Sequence, residues 1–196
     1  SLVKETLTPK FSLRINPGNN MNDHSGSQKR INASNAFDIN RLGISNDFEA
    51  GRSLTFGLDY KFDKLEKYLD KTINDEDIKD KYIEFKFATV VRDQIESEIP
   101  SSSTINRKSS NLFGSIDNRL LENINFSYNF SLDNDLKTIN SNNIETEVSI
   151  NNFVTTFNFI EDRKELGSTH LISNETEYKV NDNTSLKFST RRNKEI

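Results

Sequence analysis

The most constraining feature of this sequence is a long alternation of apolar and polar residues between Asp47 and Phe62. One set of alternate positions holds Phe48, Ala50, Leu54, Phe56, Leu58, Tyr60 and Phe62, interrupted only by Arg52. The stretch is about 16 residues long, whereas strands of soluble proteins typically have about 5 or 6 residues. A tilted strand that crosses a bilayer needs about 9 to 11 residues and alternates lipid-facing with lumen-facing side chains. The pattern therefore predicts a strand of a transmembrane β-barrel.

The composition agrees with this interpretation once the alternation is considered. The chain has 196 residues, of which 33% are hydrophobic, and its mean hydropathy is −0.73. A barrel strand conceals its membrane signal, because every second residue faces the lumen and the loops are polar. No apolar run approaches the roughly 20 residues of a spanning helix. Low hydrophobicity with 29% charged residues is also typical of disorder, but 14 Phe and 5 Tyr, many at period two, argue against disorder.

The same periodicity predicts a meander of about nine antiparallel strands, so the expected fold class is all-β. The nine predicted strands are Leu7 to Ile15, Asp47 to Phe62, Lys81 to Arg92, Leu112 to Arg119, Ile124 to Asp133, Ile144 to Ile150, Phe153 to Phe159, His170 to Val180 and Thr184 to Arg192. Asn151-Asn152 suits the positive φ values of a tight hairpin. We expect the sheet to be part of a large outer-membrane barrel.

The lengths of the connections predict which side of the membrane each end faces. Barrels have short turns on the periplasmic side and longer loops outside. The short links lie near Leu121 to Asn123, at Asn151-Asn152 and at Asn181 to Asn183. The stretches Asn16 to Ser45 and Arg92 to Asn111 are then expected to be surface loops.

Strand parity assigns side chains to the two faces of the wall. The predicted lipid-facing residues are Phe48, Leu54, Phe56, Leu58, Tyr60, Phe85, Phe87, Phe126, Tyr128 and Phe130. The predicted lumen-facing residues are Glu49, Thr55, Asp59, Glu84, Lys86 and Asn129. Charged residues on a lipid face are costly, whereas a lumen tolerates them. We therefore expect arginine to be far better tolerated at Thr55 than at Phe56.

The residues carry no pattern typical of catalysis or metal binding. His24 and His170 are the only histidines, neither has a second His or Cys at ligand spacing, and the chain has no cysteine. Asp47 and Glu49 could suit acid–base chemistry, but a charged lumen wall accounts for them more simply. A net charge of −4 of mixed sign gives no footprint for nucleic acid. We expect a protein that is not an enzyme, with no cofactor, no metal and no nucleic-acid partner.

Three segments of the chain resemble a known family. The first contains Asn35-Ala36-Phe37, Arg41, the pattern Asp47-Phe48-Glu49-Ala50-Gly51, and Gly57-Leu58-Asp59-Tyr60. The later stretches Asn129 to Asp133 and Asn152 to Phe159 carry the likeness over nearly the whole chain. Together they resemble the barrel domain of the lipopolysaccharide-assembly proteins called LptD, or organic solvent tolerance proteins.

The resemblance implies a translocon in the outer membrane of a Gram-negative bacterium. Its expected partners are lipopolysaccharide, an LptE-like lipoprotein plug inside the barrel, periplasmic lipopolysaccharide-bridge proteins and outer-membrane lipid. The chain lacks the family's N-terminal periplasmic domain, its final strands and its cysteines. Residues 1–196 are therefore expected to be an internal fragment of the barrel domain, away from the lateral gate.

Two other classes of protein fit the same alternation. A porin or a nutrient transporter would have the same wall, and the motifs of the first resembling segment are what favours the translocon over it. A soluble β-sandwich adhesin would place the aromatic residues in a core between two sheets. The length of the Asp47 to Phe62 strand disfavours the sandwich.

Overall fold

The computed structural model describes residues 2–17, 29–43, 49–65, 81–181 and 183–194. These residues form one all-β sheet of nine strands in sequential order, each antiparallel to its neighbours. The strands are β1 (Leu2–Asn16), β2 (Gly51–Leu65), β3 (Lys81–Arg92), β4 (Leu112–Leu121), β5 (Ile124–Leu132), β6 (Ile139–Ile150), β7 (Phe153–Asp162), β8 (His170–Asn181) and β9 (Thr184–Asn193). Three short 3₁₀ helices lie at Asn35–Phe37, Ser101–Ser103 and Lys164–Leu166.

The predicted all-β meander of nine strands is confirmed. The bounds of β3 match the prediction, and those of β5 differ from it by one residue. The largest differences are at β1, which begins at Leu2, at β2, which begins at Gly51 and ends at Leu65, and at β6, which begins at Ile139. Glu49 and Ala50 precede β2 instead of lying within it, and Phe48 is outside the described residues.

The connections differ in length at the two ends of the sheet. One end has the links 17–50, 93–111, 133–138 and 163–169, and we name it the long-loop end. The opposite end has the short links 122–123, 151–152 and 182–183 together with the longer connection 66–80, which is outside the described residues, and we name it the short-turn end. Asn151 has a φ of +51°, so the predicted positive φ is confirmed in this tight turn.

The register places the two predicted sets of side chains on opposite faces. Directly paired residues of antiparallel strands lie on the same face. One row of pairs runs across eight strands through Pro9, Leu58, Phe87, Gly114, Phe130, Asn142, Glu161 and His170. We name its side the aromatic face, since it carries Phe56, Leu58, Phe87 and Phe130. The opposite side, which carries Thr55, Asp59, Lys86 and Asn129, is named the polar face.

The hydrophobic core lies on the polar face, at the long-loop end. Residues 29–43 and 93–111 fold over this part of the sheet, and we name them together the cap. The core consists of Ile31, Ala33, Ala36, Leu42, Ile99 and Ile105 from the cap with Ala88, Val90 and Phe113 from the strands. The two stretches that were expected to be surface loops therefore carry buried residues that pack on the wall.

The sheet is not closed. Among the described residues, β1 pairs only with β2 and β9 pairs only with β8. Because nine strands alternate in direction, β1 and β9 run the same way. Within the described residues, no helix has the length and apolar character needed to cross a membrane.

Candidate functional site

The aromatic face holds the predicted lipid-facing residues that the structure describes. Those residues are Leu54, Phe56, Leu58, Tyr60, Phe85, Phe87, Phe126, Tyr128 and Phe130, and their direct pairings extend over β2 to β5. Phe48, the tenth of the set, lies outside the described residues. Strand parity thus brings the predicted aromatic side chains together on one surface.

This surface is open over much of its area. Phe11 and Leu13 on β1 are each 70% exposed, and Leu186 and Phe188 on β9 are each 65% exposed. Soluble monomers rarely expose a contiguous apolar patch larger than a few hundred Å². An apolar face of this extent needs a partner, which is a membrane or another protein.

Cross-strand ring contacts make the aromatic face continuous. Phe11 and Phe56 meet edge to face with centroids 5.6 Å apart. The Phe87 and Phe130 rings are 6.3 Å apart, on either side of β4. Gly114 leaves room between them, because a Cβ at this position would lie 2.1 Å from the Phe130 ring. Such aromatic pairs contribute about 0.5–1.5 kcal/mol beyond their burial.

Five of the six predicted lumen-facing residues, Thr55, Asp59, Glu84, Lys86 and Asn129, lie on the polar face, whereas Glu49 precedes β2. Asp59 forms an ion pair with Lys10, and Lys86 Nζ lies 2.9 Å from Glu84 Oε2. Asn129 lies between Ser115 and Asn143 in the pairing. The Lys10–Asp59 pair joins β1 to β2, whereas the Lys86–Glu84 pair joins two positions of β3, and both lie on the polar face.

The burial of Thr55 removes the basis for expecting arginine to be tolerated there. Thr55 is 2% exposed, and its hydroxyl accepts a hydrogen bond of 2.9 Å from Arg41 Nη1. The alternation correctly places Thr55 on the polar face, but the cap covers this part of the face. An arginine here would displace Arg41 from its buried site.

Glu49 is the centre of a buried charge cluster. Its carboxylate accepts hydrogen bonds from Arg41 Nε at 2.6 Å and Arg14 Nη1 at 2.9 Å, and further bonds from Arg41 Nη2 and Arg92 Nη2. The side chains of Arg41 and Arg92 are fully buried. The cluster therefore joins β1, the cap and β3 through one carboxylate, whereas the sequence predicted a charge lining the lumen.

The remaining guanidinium donors of this cluster bind backbone carbonyls. Arg14 donates to the carbonyls of Asp38 and Ile39, and Arg41 donates to the carbonyl of Ala36. Arg92 donates to the carbonyls of Ile105 and Ala50. The three arginines thus attach both parts of the cap to the sheet. These contacts use guanidinium donors that would otherwise be needed to bind an external anion.

The protonation of Glu49 reflects this environment. Burial raises the pKa of the Glu49 carboxyl, but the hydrogen bond from Arg41 and the charges of Arg41, Arg92 and Arg14 outweigh it. The net result is a pKa below the ordinary value. Glu49 is therefore ionised at neutral pH, as a centre for three cations must be.

Two glycines shape the contact between the cap and the wall. A Cβ at Gly57 would lie 2.5 Å from the Phe37 ring, so the ring packs where β2 has no side chain. Gly51 has a φ of +76°, and a Cβ there would lie 2.1 Å from Glu96 Oε1. The residues Phe37, Arg41, Glu49, Gly51 and Gly57 of the first resembling segment therefore all lie at the contact between the cap and the wall.

Two further carboxylates attach loops at the far side of the long-loop end. Arg30 makes a bidentate pair with Asp162 on β7, with distances of 2.8 and 2.6 Å, and Asp162 is 2% exposed. Asp133 binds Lys164 at 2.7 Å and Arg107 at 3.5 Å. The Lys164 hydrogen bond is the main reason that the pKa of Asp133 lies below its ordinary value. The cap thus spans the polar face from β1 to β7.

Sequence reasoning missed the roles of Arg14, Arg92, Arg30 and Asp162. Their partners lie 13 to 132 residues away in the chain, so no local spacing signals the pairs. The one available signal was the number of charged residues within apolar strand ends, such as Arg92 after Val90-Val91. Within the described parts of the chain, no three His, Asp or Glu side chains are grouped to hold a metal ion.

No protein-family model, curated protein or solved structure matches this chain. The geometry of the two faces is therefore what points to a function.

Proposed function

We propose that this chain is a non-enzymatic segment of the wall of an outer-membrane β-barrel, with the aromatic face in the lipid. The polar face then lines the interior, where the cap fills the space at the long-loop end. The finer proposal is that the barrel is the translocon that assembles lipopolysaccharide in the outer leaflet.

The barrel proposal rests on how the apolar stretch of the aromatic face shifts along the strands from β1 to β7. We name these stretches together the apolar band. The position of the band on each strand is measured from the row of paired residues that contains Pro9, Leu58 and Glu161. The apolar stretch on the aromatic face is centred on Phe11 in β1, two residues from Pro9 toward the long-loop end. It is centred on Leu58 in β2, which pairs with Pro9. In β7 the stretch Phe153 to Phe159 is centred five residues from Glu161, toward the short-turn end.

This drift has the size that strand tilt requires. The band moves by about seven residues between β1 and β7, or about one residue per strand. With a rise of about 3.3 Å per residue and about 4.8 Å between strands, the strands are inclined to the band normal by about 40°. Strands of transmembrane barrels are tilted by about 35–45°. A horizontal bilayer across tilted strands thus accounts for the apolar surface of all these strands.

The ends of the apolar band also fit a bilayer. On β2 the apolar residues Leu54 to Phe62 lie between Arg52 and Lys64 on the same face. These two cationic residues are about 40 Å apart along the strand, or about 30 Å along the normal of a membrane at the tilt above. The hydrocarbon core of a bilayer is about 30 Å thick. Long cationic side chains at both limits can reach the headgroups.

The lipopolysaccharide proposal is supported by the positions of Phe37, Arg41, Glu49, Gly51 and Gly57. These five residues belong to the first segment that resembles the LptD family, and they lie where the cap meets the wall. Under this proposal the partners are lipopolysaccharide, an LptE-like lipoprotein plug, periplasmic bridge proteins and lipid of the Gram-negative outer membrane.

The alternative classes of protein differ in what contacts the aromatic face and the polar face of the sheet. A β-sandwich needs a second sheet packed about 10 Å from the aromatic face, and the described residues form one sheet only. A porin or nutrient transporter shares the wall, and it is the second candidate. The cap over the polar face favours a barrel with a filled interior over an open pore.

Depletion of the protein in its bacterial host tests the finer proposal. We expect lipopolysaccharide at the surface of intact cells to fall and newly made lipopolysaccharide to accumulate inside, as measured by surface labelling and membrane fractionation. The matched control is depletion of an unrelated porin. Unchanged surface lipopolysaccharide together with slower uptake of a small solute would overturn the translocon proposal in favour of the porin.

A further inference from the structure

The aromatic face of β8 and β9 ends in three basic residues at the long-loop end. His170 begins β8, Arg192 lies near the end of β9, and Lys194 follows β9 with the same parity as Arg192. Arg192 pairs directly with Ile172, which in turn pairs with Phe159 on the aromatic face. The backbone N–H of Lys194 donates to the carbonyl of His170 at 2.9 Å, so these two residues are neighbours. We name His170, Arg192 and Lys194 the basic cluster.

The surrounding charges do not neutralise the basic cluster. The nearest carboxylate on the same face belongs to Glu161, which pairs directly with the histidine of the cluster. Glu161 is already bound by Arg163 Nη2 at 2.7 Å and by Asn142 Nδ2 at 3.1 Å. Within the described residues, Arg192 and Lys194 form no salt bridge. The other carboxylates of β7 to β9 lie on the polar face, and they are Asp162, Glu175 and Glu177.

The basic cluster lies where the apolar band is expected to end. On β2 the limit of the band at the long-loop end is Arg52, six residues from Leu58. A drift of about one residue per strand brings this limit, on β8, to the row of paired residues that contains Leu58. His170 belongs to that row, and on β9 the expected limit falls between Arg192 and Lys194. The register therefore places the cluster at the depth of the lipid headgroups.

The rest of this limit differs in charge from the basic cluster. Arg52 forms an ion pair with Asp93 at 2.5 Å. On β4 to β6 the aromatic-face residues nearest the limit are uncharged, and they are Leu112, Leu132 and Asn142. Within the described residues, the opposite limit of β7 to β9 is uncharged too, with Phe153, Val180 and Thr184. Cations without a partner are therefore concentrated at one place, in a chain whose net charge is −4.

From the basic cluster toward the short-turn end, the same face becomes apolar and open. Phe188 and Leu186 follow Arg192 on this face of β9 and are largely exposed. Phe188 is four residues from Arg192, or about 13 Å along the strand. A phosphate bound at the cluster would thus have an apolar surface beside it for its acyl chains. This order of charge and apolar surface matches an amphipathic lipid.

We propose that the basic cluster binds the phosphate of an anionic membrane lipid, in the leaflet at the long-loop end. Arg192 and Lys194 supply charge-assisted hydrogen bonds, and the His170 ring supplies a further N–H donor. Direct and diagonal neighbours on two strands have Cβ atoms about 5 to 8 Å apart, so these side chains can reach one phosphate. The inference rests on the proposed lipid contact of the aromatic face and adds a preference for anionic headgroups.

Selective quenching by brominated lipid tests this inference. The chain has no tryptophan, so Phe188→Trp is a single reporter beside the cluster. The protein is folded into vesicles of fixed phosphatidylcholine and phosphatidylglycerol content, in which equal amounts of one lipid or the other carry bromine. We expect phosphatidylglycerol to be enriched at Phe188→Trp by about fivefold or more, given the attraction of basic residues for anionic lipids. Replacing both Arg192 and Lys194 by Gln should remove the enrichment without changing quenching by phosphatidylcholine.

Two controls are matched to this experiment. Replacing both Lys187 and Arg191 by Gln removes the same charge from the polar face of β9, and it should leave the enrichment unchanged. Phe87→Trp reports on the aromatic face of β3, away from the cluster, and should show enrichment of less than about twofold.

The possible failures are distinguishable. Equal quenching by the two brominated lipids at Phe188→Trp would overturn the inference and leave the lipid contact intact. An equal loss of enrichment in the control with Lys187 and Arg191 replaced would also overturn it, since that would reflect net charge alone. Loss of enrichment in inorganic phosphate, but not in NaCl of equal ionic strength, would show that the cluster binds the free anion instead of a lipid. No quenching by either lipid would overturn the proposed lipid contact, and this inference with it.

Discussion

Glu49→Gln is expected to lower the free energy of unfolding by about 3–5 kcal/mol, which is the typical cost of removing one partner from a buried ion pair. The substitution leaves Arg14, Arg41 and Arg92 close together without their shared carboxylate. The intact cluster contributes little net stability by itself, because burying the charges is also costly. Its loss nevertheless leaves three uncompensated cations beneath the cap.

This expected loss depends on pH in a defined direction. The folded-state pKa of Glu49 is lowered, so the contribution of its charge is fully present above its unfolded pKa of about 4.3. It is lost as the pH falls through the folded pKa, where the wild-type carboxyl becomes protonated and resembles glutamine. The difference between the wild type and Glu49→Gln should therefore be constant near neutral pH and shrink in acid.

Denaturant unfolding in lipid vesicles, followed by circular dichroism, measures both effects. Glu145→Gln is the matched control, since it neutralises an exposed carboxylate that has no salt bridge among the described residues, and it should change stability by less than about 0.5 kcal/mol. The chain has no cysteine, so a single Ala36→Cys reports on the cap. Labelling of this buried position by a maleimide should be faster in the Glu49→Gln background. An unchanged labelling rate and an unchanged unfolding free energy would contradict the role of the cluster.

Phe56→Arg is expected to cost about 2–4 kcal/mol in a bilayer, because it places a charge on the lipid face near the midplane. Phe56 lies on the aromatic face between Phe11 and Thr89. The control on the polar face is Ser127→Arg, because Ser127 lies between Asp117 and Glu145 in the pairing. A charge there meets two carboxylates and should cost less than about 1 kcal/mol.

Folding titrations of the two variants in vesicles give the comparison. Thr55 cannot serve as the control, since Arg41 and the cap bury it. Equal costs for Phe56→Arg and Ser127→Arg, or a larger cost for Ser127→Arg, would show that the aromatic face does not contact lipid.

The sheet could be predicted because its signals are local. The alternation in β5 is complete and that in β3 is clear from Ile83 to Phe87, and the predicted bounds of both strands agree with the structure to within one residue. The start of β6 was missed because Asn140, Ser141, Asn142 and Asn143 are polar on both faces, and a register shift between Ser131 and Leu132 accompanies them. Period two cannot be recognised where neither face is apolar.

The cap could not be predicted, because its contacts are distant in the chain. Ile31, Ala33, Ala36 and Leu42 have no regular spacing and lie in a polar stretch. Their burial depends on Ala88, Val90 and Phe113, which belong to other strands. Strand parity placed Glu49 on a wall, but only the fold shows that three arginines surround it. The resemblance to a known family includes the segment that contains Glu49, but it does not give the geometry of that segment.

The central claim is that the aromatic face contacts the hydrocarbon of a bilayer, and tryptophan quenching by brominated lipid tests it most directly. The chain has no tryptophan, so the single substitutions Phe87→Trp, Tyr128→Trp and Ser127→Trp each report one position in vesicles whose acyl chains carry bromine. We predict strong quenching at Phe87→Trp and Tyr128→Trp and weak quenching at Ser127→Trp, the neighbour of Tyr128 on the opposite face. Quenching that is absent at all three positions, or as strong at Ser127→Trp as at Tyr128→Trp, would contradict the claim.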